Sequence, residues 1–216
     1  GVTLVGDSNY GINEILDYNG MVLVCKPEGL FTVDSTGTVT TLLDLAGRSD
    51  PDNFKGAMVW NRRVLLPLGK GGMWDLLENG TIRDISFKVV APKVTVLHGN
   101  VVALASDPSR LYAMVEDTTN NVIFILYAEF REIDGTADYR WHVVARLARN
   151  SNSTVRFQNV LYVQAYYDAS TTDTYRRLWV GLSATTSQVS NTPVFFPLES
   201  ADKDFAYENG AHQLDT

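Results

Sequence analysis

One short phrase recurs four times along the chain, always in the same order: a turn rich in Asn or Gly, then at once an apolar strand. The copies are Tyr18-Asn19-Gly20-Met21-Val22-Leu23-Val24, Trp60-Asn61-Arg62-Arg63-Val64-Leu65-Leu66, His98-Gly99-Asn100-Val101-Val102-Ala103-Leu104 and Phe157-Gln158-Asn159-Val160-Leu161-Tyr162-Val163. Each is followed by an aliphatic–aromatic pair: Leu30-Phe31, Met73-Trp74, Leu111-Tyr112 and Leu178-Trp179. The aromatics stand 43, 38 and 67 residues apart, and the distances from turn Asn to aromatic are 12, 13, 12 and 20. The long fourth interval holds a polar insertion, Tyr166 to Arg177. Past the aromatic, Gly37 and Gly80 sit six residues on, in Asp34-Ser-Thr-Gly-Thr-Val39 and Leu77-Glu-Asn-Gly-Thr-Ile82. Both strings read as hairpin turns, because Gly takes the left-handed backbone such turns need. Looser turns are expected near Thr118–Asn121 and Ala184–Gln188.

The segments between the turns read as strands. Val22–Val24, Val64–Leu66, Val101–Leu104, Val122–Tyr127, Trp141–Val144, Val160–Val163 and Val194–Phe196 are rich in β-branched and aromatic residues. No long window carries helical periodicity. The nearest, Thr41-Leu-Leu-Asp-Leu-Ala46 before Gly47, is too short to hold a helix. The repeat then resolves into strand, turn, apolar strand, loop, aromatic-bearing strand, turn, strand. Four antiparallel strands per roughly 40–50 residues make the blade of a β-propeller. One blade cannot bury both faces of its small sheet, and stacking neighbours around an axis does so. The aliphatic–aromatic pairs are expected to fill the layer between blades. A β-sandwich accounts for the strand density but not for four ordered copies.

The expected organisation is one all-β propeller domain over residues 1–216, with units at about 13–46, 53–90, 91–148 and 153–199. Residues 1–12 and 200–216 are expected as edge or closing strands, or as the exit to a further domain. Thr3-Leu-Val5 offers an outer strand, and Phe205-Ala-Tyr-Glu-Asn-Gly210 echoes Leu16-Asp-Tyr-Asn-Gly20 as an inner one; together they would form a fifth, split blade. A chain that starts without Met and stops at Thr216, where the next strand should begin, is expected more readily as a fragment of a longer protein with further blades or another domain. The third unit carries an extra strand's worth of sequence, Trp141 to Leu147, so its register stands open by one strand.

Charge and composition narrow the partners. The 18 Lys+Arg against 25 Asp+Glu give a net charge of −7, opposite to what nucleic acid or an anionic membrane attracts. Apolar runs are strand-sized, so membrane insertion is not expected. The single Cys25 allows neither an internal disulfide nor a cysteine zinc site.

The unit resembles β-propeller repeats in general. It differs from WD40 repeats, since Trp74-Asp75 occurs once and mid-strand; from kelch repeats, since Gly71-Gly72 does not recur; and from the sialidase-type Asp box, whose spacing Val33-Asp-Ser-Thr-Gly-Thr38 misses. Glu28-Gly-Leu-Phe-Thr-Val-Asp34 and Arg177-Leu-Trp-Val-Gly181 are similar to sensor-type and virion-type propellers. Tyr207-Glu-Asn-Gly-Ala-His-Gln-Leu-Asp-Thr216 is similar to the segment leaving the propeller in some phage tail or virion proteins. The resemblance implies a structural or receptor-facing role in a virion or extracellular setting, with virion proteins or a surface glycan as partners.

No residue pattern points to catalysis, a cofactor or a metal. His98, His142 and His212 have no spacing that brings them together, and no Gly-x-Ser-x-Gly is present. Asp50-Pro-Asp-Asn53 offers loop oxygens suited to calcium but reads better as a solvated turn. Gly69-Lys-Gly-Gly72 has no helix after it to bind phosphate. Asp75, Asp107 and Asp168 are the carboxylates to watch for the alternative of a carbohydrate-active propeller, a glycoside hydrolase or lyase working through axial carboxylates. A ligand-sensing propeller of a larger receptor is a further alternative. The fourth-unit insertion is the candidate partner-binding loop, through Tyr166, Tyr167, Asp168, Tyr175, Arg176 and Arg177, because Tyr and Arg dominate binding hot spots. Asn79-Gly-Thr81 and Asn152-Ser-Thr154 match the glycosylation acceptor.

Overall fold

The computed structural model describes residues 4–69, 72–87, 99–108, 110–117, 119–120, 122–133, 136–148, 155–168, 173–184 and 194–197. The chain divides into two compact units, Gly1–Lys88 with Val96–Val101 and Val89–Thr95 with Val102–Thr216.

The first unit holds two four-stranded antiparallel meanders. One is β1 (Glu14–Tyr18), β2 (Met21–Lys26), β3 (Gly29–Val33) and β4 (Val39–Asp44). The other is β5 (Met58–Trp60), β6 (Arg63–Leu68), β7 (Gly72–Leu76) and β8 (Ile82–Asp84). Thr41–Asp44 is thus strand, and only a single 3₁₀ turn, Ala46–Arg48, follows it. The β-branched Val39, Thr40 and Thr41 favour the extended form.

The repeat is visible in the pairing. Val24 lies opposite Phe31 in the first sheet, and Leu66 opposite Trp74 in the second. Val22 faces Val33 as Val64 faces Leu76. Both strand-joining turns carry two left-handed residues, Asn19 (φ 53°) with Gly20 (φ 73°) and Asn61 (φ 47°) with Arg62 (φ 62°). That is the hairpin geometry whose twist matches the strands. The hairpin turns read from Gly37 and Gly80 are equivalent in detail. Both glycines have φ 83°, Gly37 N–H donates to Asp34 O at 3.0 Å, and Gly80 N–H donates to Leu77 O at 2.9 Å.

The two sheets share one core. Tyr18, Leu23, Cys25 and Leu30 of the first sheet cluster with Val64, Leu66 and Leu76 of the second, with Phe54 and Ala57 from the connecting segment completing it. Burying each large apolar side chain is worth about 1.5–3 kcal/mol. Strand alternation splits the aliphatic–aromatic pairs between faces. Leu30 enters the shared core while Phe31, 7% exposed, is buried on the opposite face; in the second sheet Trp74 packs against the core and Met73 is buried on the other side. Each pair therefore serves two layers rather than the single one expected.

Polar groups complete the joint. Buried Asn53 donates from Nδ2 to Pro27 O at 2.9 Å and to Arg48 O at 3.3 Å, and its Oδ1 accepts from Gly69 N at 3.1 Å. Asn13 Nδ2 donates to the carbonyls of Pro51 and Asn53. Leu4 and Val5 belong to no strand, which corrects the outer-strand reading of Thr3–Val5 at its described residues. Instead the buried Lys26 ammonium donates to Val5 O at 2.8 Å and to Asp7 O, and pairs with Glu28 Oε1 at 3.0 Å. A buried ammonium left without these partners would be costly, so the segment before β1 is fastened by its own carbonyls.

The second unit holds β9 (Asn100–Ser106) from Val102 onward, β10 (Leu111–Asp117), β11 (Val122–Ile133) and β12 (Thr136–Ala148) in one sheet. A three-stranded sheet comprises β13 (Val155–Asp168), β14 (Asp173–Ala184) and β15 (Val194–Pro197). Leu111, Tyr112, Met114, Leu126 and Trp141 are fully buried. The turn expected at Thr118–Asn121 is present at Thr119 and Asn120, whose N–H groups both donate to Asp117 Oδ1.

Two expectations are corrected here. Phe157–Val160 is not a turn but part of the continuous β13, whose register shifts between Phe157 and Leu161. The surplus residues are absorbed as a bulge instead of a reversal. In the third unit the strand after the Asn turn, β9, stands at one edge, and the aromatic-bearing β10 is followed by two strands rather than one. The extra strand Trp141–Leu147 is the middle of β12. His98, residues 185–193 and Phe205–Gly210 lie outside the described residues, as do the side chains of Leu178 and Trp179. Among the described residues the structure is all-β, with three four-stranded antiparallel sheets and one of three strands.

Candidate functional site

The six residues expected on a polar loop lie instead on paired strands. Tyr166 and Tyr175 are direct Cα partners, as are Asp168 and Asp173, Ala165 and Arg176, and Gln164 and Arg177; Tyr167 pairs with Thr174. The insertion is thus the end of the β13–β14 hairpin, and only residues 169–172 separate its arms. Its polarity suggests a loop, but Tyr and Thr are strong strand formers. The register brings all six candidates within five consecutive rungs of one ladder.

A second polar cluster gathers in the first unit, where sequence reasoning had marked only turns. Asn61, Arg62, Arg63, Leu77, Glu78 and Asn79 line an open cavity of about 380 Å³. Arg62 grips Glu78 with two bonds, Nε to Oε1 at 2.7 Å and Nη2 to Oε2 at 3.2 Å. From the first sheet, Tyr18 Oη donates to Leu77 O at 2.7 Å, and Asn19 Nδ2 donates to Glu78 O at 2.8 Å. Burial raises the Tyr18 phenol above its ordinary range, and the Glu78 carboxylate adds to the rise. The available signal was the phase of the repeat, which aligns Asn61-Arg62 with Asn19-Gly20.

The second unit contributes an aromatic ladder. Tyr127 and His142, partners across β11 and β12, stack with centroids 4.8 Å apart and planes 18° from parallel. Arg110 lies over the Tyr127 ring at 5.7 Å, an arrangement favoured by the negative ring face. Phe130 and Tyr139 repeat the pairing further along, 5.3 Å apart. His142 is therefore a packing residue, with its buried Nε2 lacking a hydrogen-bond partner among the described residues.

Two of the watched carboxylates, Asp75 and Asp107, have structural duties. Asp75 is fully buried on β7; Arg83 Nε donates to its Oδ1 at 3.0 Å, Arg83 Nη2 to its Oδ2, and Arg63 Nη1 approaches to 3.9 Å. Asp107 Oδ1 accepts from Arg110 N at 2.9 Å, closing the turn from β9 to β10, and its Oδ2 faces Tyr112 Oη at 3.5 Å. Asp168 ends β13. In Asp50–Asn53, Asp50 Oδ1 accepts from Asp52 N at 3.0 Å and Asp52 Oδ1 meets Lys55 Nζ at 2.6 Å, so these oxygens close a turn. Among the described residues no group of three His, Cys, Asp or Glu is placed to hold a metal ion.

The face of the first sheet away from the shared core is buried at Val24 and Phe31 but exposes two apolar side chains on β1 and β2. Ile15 is 56% and Val22 45% exposed, and nearby in sequence Leu4, Tyr10 and Ile12 are also exposed. These make five of the seven large hydrophobics exposed among the described residues. Compared with known proteins, the chain matches no family model, and no curated protein matches it.

Proposed function

We propose that the chain is a non-catalytic scaffold whose sheets are blades of a β-propeller and whose hairpin arms meet a protein or glycan partner. The observation that carries this reading is the joint between the first two sheets. Val64, Leu66 and Ala57 lie in it, and their repeat counterparts 42 residues earlier are Val22, Val24 and Ile15. The joint is therefore head to tail: one face of a sheet meets the opposite face of the next. That is the relation neighbouring blades have around a ring. On this reading the exposed Ile15 and Val22 receive another sheet of the same repeat, as their counterparts Ala57 and Val64 are covered in the joint.

Partner recognition is assigned to the end of the β13–β14 hairpin. Tyr166, Tyr167, Asp168, Tyr175, Arg176 and Arg177 bring Tyr and Arg, the residue types enriched in binding hot spots, together on paired strands. A receptor-facing place in a virion suits such an arm. The test is a glycan-array and candidate-protein binding screen with the parent chain and the variants Y166A/Y175A and R176A/R177A. The reading expects one binding class in the parent, lost in both variants while the far-ultraviolet circular dichroism stays unchanged. Turnover of an arrayed glycan, or binding indifferent to both variants, would replace it.

A further inference from the structure

Three asparagine-led turns in the first unit differ in one chemical respect. A backbone nitrogen that follows Asn can attack the Asn Cγ and close a five-membered ring, which is one source of asparagine's thermal lability. Glycine leaves that nitrogen open, while a larger residue shields it. Asn61 is followed by Arg62 and is shielded; Asn19 and Asn79 are exposed and followed by Gly20 and Gly80. The two open sites have different acceptors on the attacking N–H. Gly80 N–H is held by the main-chain carbonyl of Leu77 at 2.9 Å, which cannot take a proton. Gly20 N–H points at the carboxylate of Asp17, with Oδ1 at 3.3 Å, which can. Asp17 is fixed there as the last residue but one of β1, opposite Val22.

We propose that Asn19 is a site of spontaneous deamidation, with Asp17 as general base on the Gly20 amide. The Gly20 N–Cγ bond forms as the amide proton passes to Asp17. The Cγ–Nδ2 bond then breaks, and Nδ2 leaves as ammonia, carrying that proton away and restoring the Asp17 carboxylate. Water opens the resulting succinimide at either carbonyl, leaving aspartate or isoaspartate at position 19. Water is the only co-reactant. The product bears on the joint between the sheets, because Asn19 Nδ2 is the donor to Glu78 O at 2.8 Å. After the reaction a carboxylate oxygen faces that carbonyl, beside the Glu78 side chain. The isoaspartyl form also lengthens a two-residue turn whose geometry sets the strand register. The joint weakens as the protein ages.

The experiment is peptide mapping by mass spectrometry on folded protein kept warm at neutral pH, with Asn79 and Asn61 as internal references. Residue 19 is expected to convert about tenfold faster than residue 79, a modest general-base contribution. Asp17→Asn is expected to bring residue 19 down to the rate of residue 79, with residue 61 unchanged. In guanidinium, where Asp17 is no longer held at Gly20, the two Asn-Gly sites are expected to converge, and this comparison does not require the variant to fold. Conversion at 79 as fast as at 19 in the folded protein, a rate at 19 indifferent to Asp17→Asn, or a preference that persists in guanidinium would each overturn the proposal.

Discussion

The Tyr18 hydroxyl donates to the main-chain carbonyl of Leu77 at 2.7 Å, so the last side chain of β1 fastens the hairpin turn of the neighbouring sheet. The ring itself is 7% exposed and sits in the shared core. Replacing Tyr18 with Phe keeps the ring and removes the bond. The expected cost is about 1 kcal/mol. Tyr18→Ala, which also empties the ring's place, is expected to cost about 3–5 kcal/mol. Chemical-denaturation midpoints of the two variants separate bond from packing; no loss in Tyr18→Phe would mean that the hydroxyl contributes nothing, and equal losses that the ring adds nothing.

Arg62 stands in the left-handed region at φ 62°, where the first sheet has Gly20. An L side chain there costs about 1–2 kcal/mol. Arg62→Gly relieves that cost but loses an exposed ion pair with Glu78, worth about 0.2–1 kcal/mol. The expected net is a stabilisation of about 0.5–1 kcal/mol, larger at high salt where the ion pair is screened. Gly20→Ala should shift stability the other way by about 1 kcal/mol. A thermal melt that falls for Arg62→Gly would show the ion pair to be the stronger term.

Asp75 is buried between Arg83 and Arg63, and Arg83 keeps 28% of its side chain exposed. Asp75→Leu strands the guanidinium, and about 3 kcal/mol is expected, the low end for a broken buried pair because Arg83 retains solvent. Asp75→Leu combined with Arg83→Met removes the hydrogen-bonded pair, leaving the more distant Arg63, and should recover most of the loss. If the double variant is as unstable as the single one, the cost lies in packing and not in the stranded charge.

Burial pushes the Cys25 thiol up from an ordinary 9.0 to about 12, with Glu14 adding to the rise. The folded state therefore holds its proton more tightly than the unfolded chain does. That contribution is fully present below about pH 9 and is lost as pH rises toward 12. Stability should decline across that window, and Cys25→Ser should flatten the decline. Thiol reagents should modify the native chain only as it unfolds, which a timed labelling assay reads directly.

Asp34 is held below its ordinary carboxylate range, first by the Thr36 hydroxyl at 2.6 Å and then by the Thr38 N–H. Its bonds support the turn above that ordinary range and are lost as pH falls through the lowered folded value. An NMR titration of the Asp34 carboxyl should move back up in Thr36→Val. An unchanged midpoint would place the shift on the backbone donors alone.

Local chemistry made some of the fold legible and left other parts hidden. The turns at Asn19-Gly20, Asn61-Arg62, Gly37 and Gly80 could be read because left-handed backbone demands particular residues, and the phase between copies then located β1–β8. Phe157–Val160 misled, because Gln-Asn before an apolar run is as compatible with a bulge as with a turn, and the choice depends on what β14 offers opposite. The hairpin arms through Tyr166 and Tyr175 read as loop by polarity, whereas the strand preference of Tyr and Thr decides their backbone. The Arg62–Glu78 cluster could not be read from either turn alone, since its members are 16 residues apart and meet only once β6 and β7 pair. Asp75 illustrates the same limit, because its Arg83 partner is set by the β7–β8 register.

The joint between the first two sheets also has a polarity. Because Ile15 and Val22 correspond to residues already covered in the following copy, an in-frame duplication of about one repeat would extend the stack without requiring a new complementary surface to evolve. Such a gene could lengthen by simple copying, and the resulting sheets would be free to diverge at their tips while their mating sides stayed interchangeable.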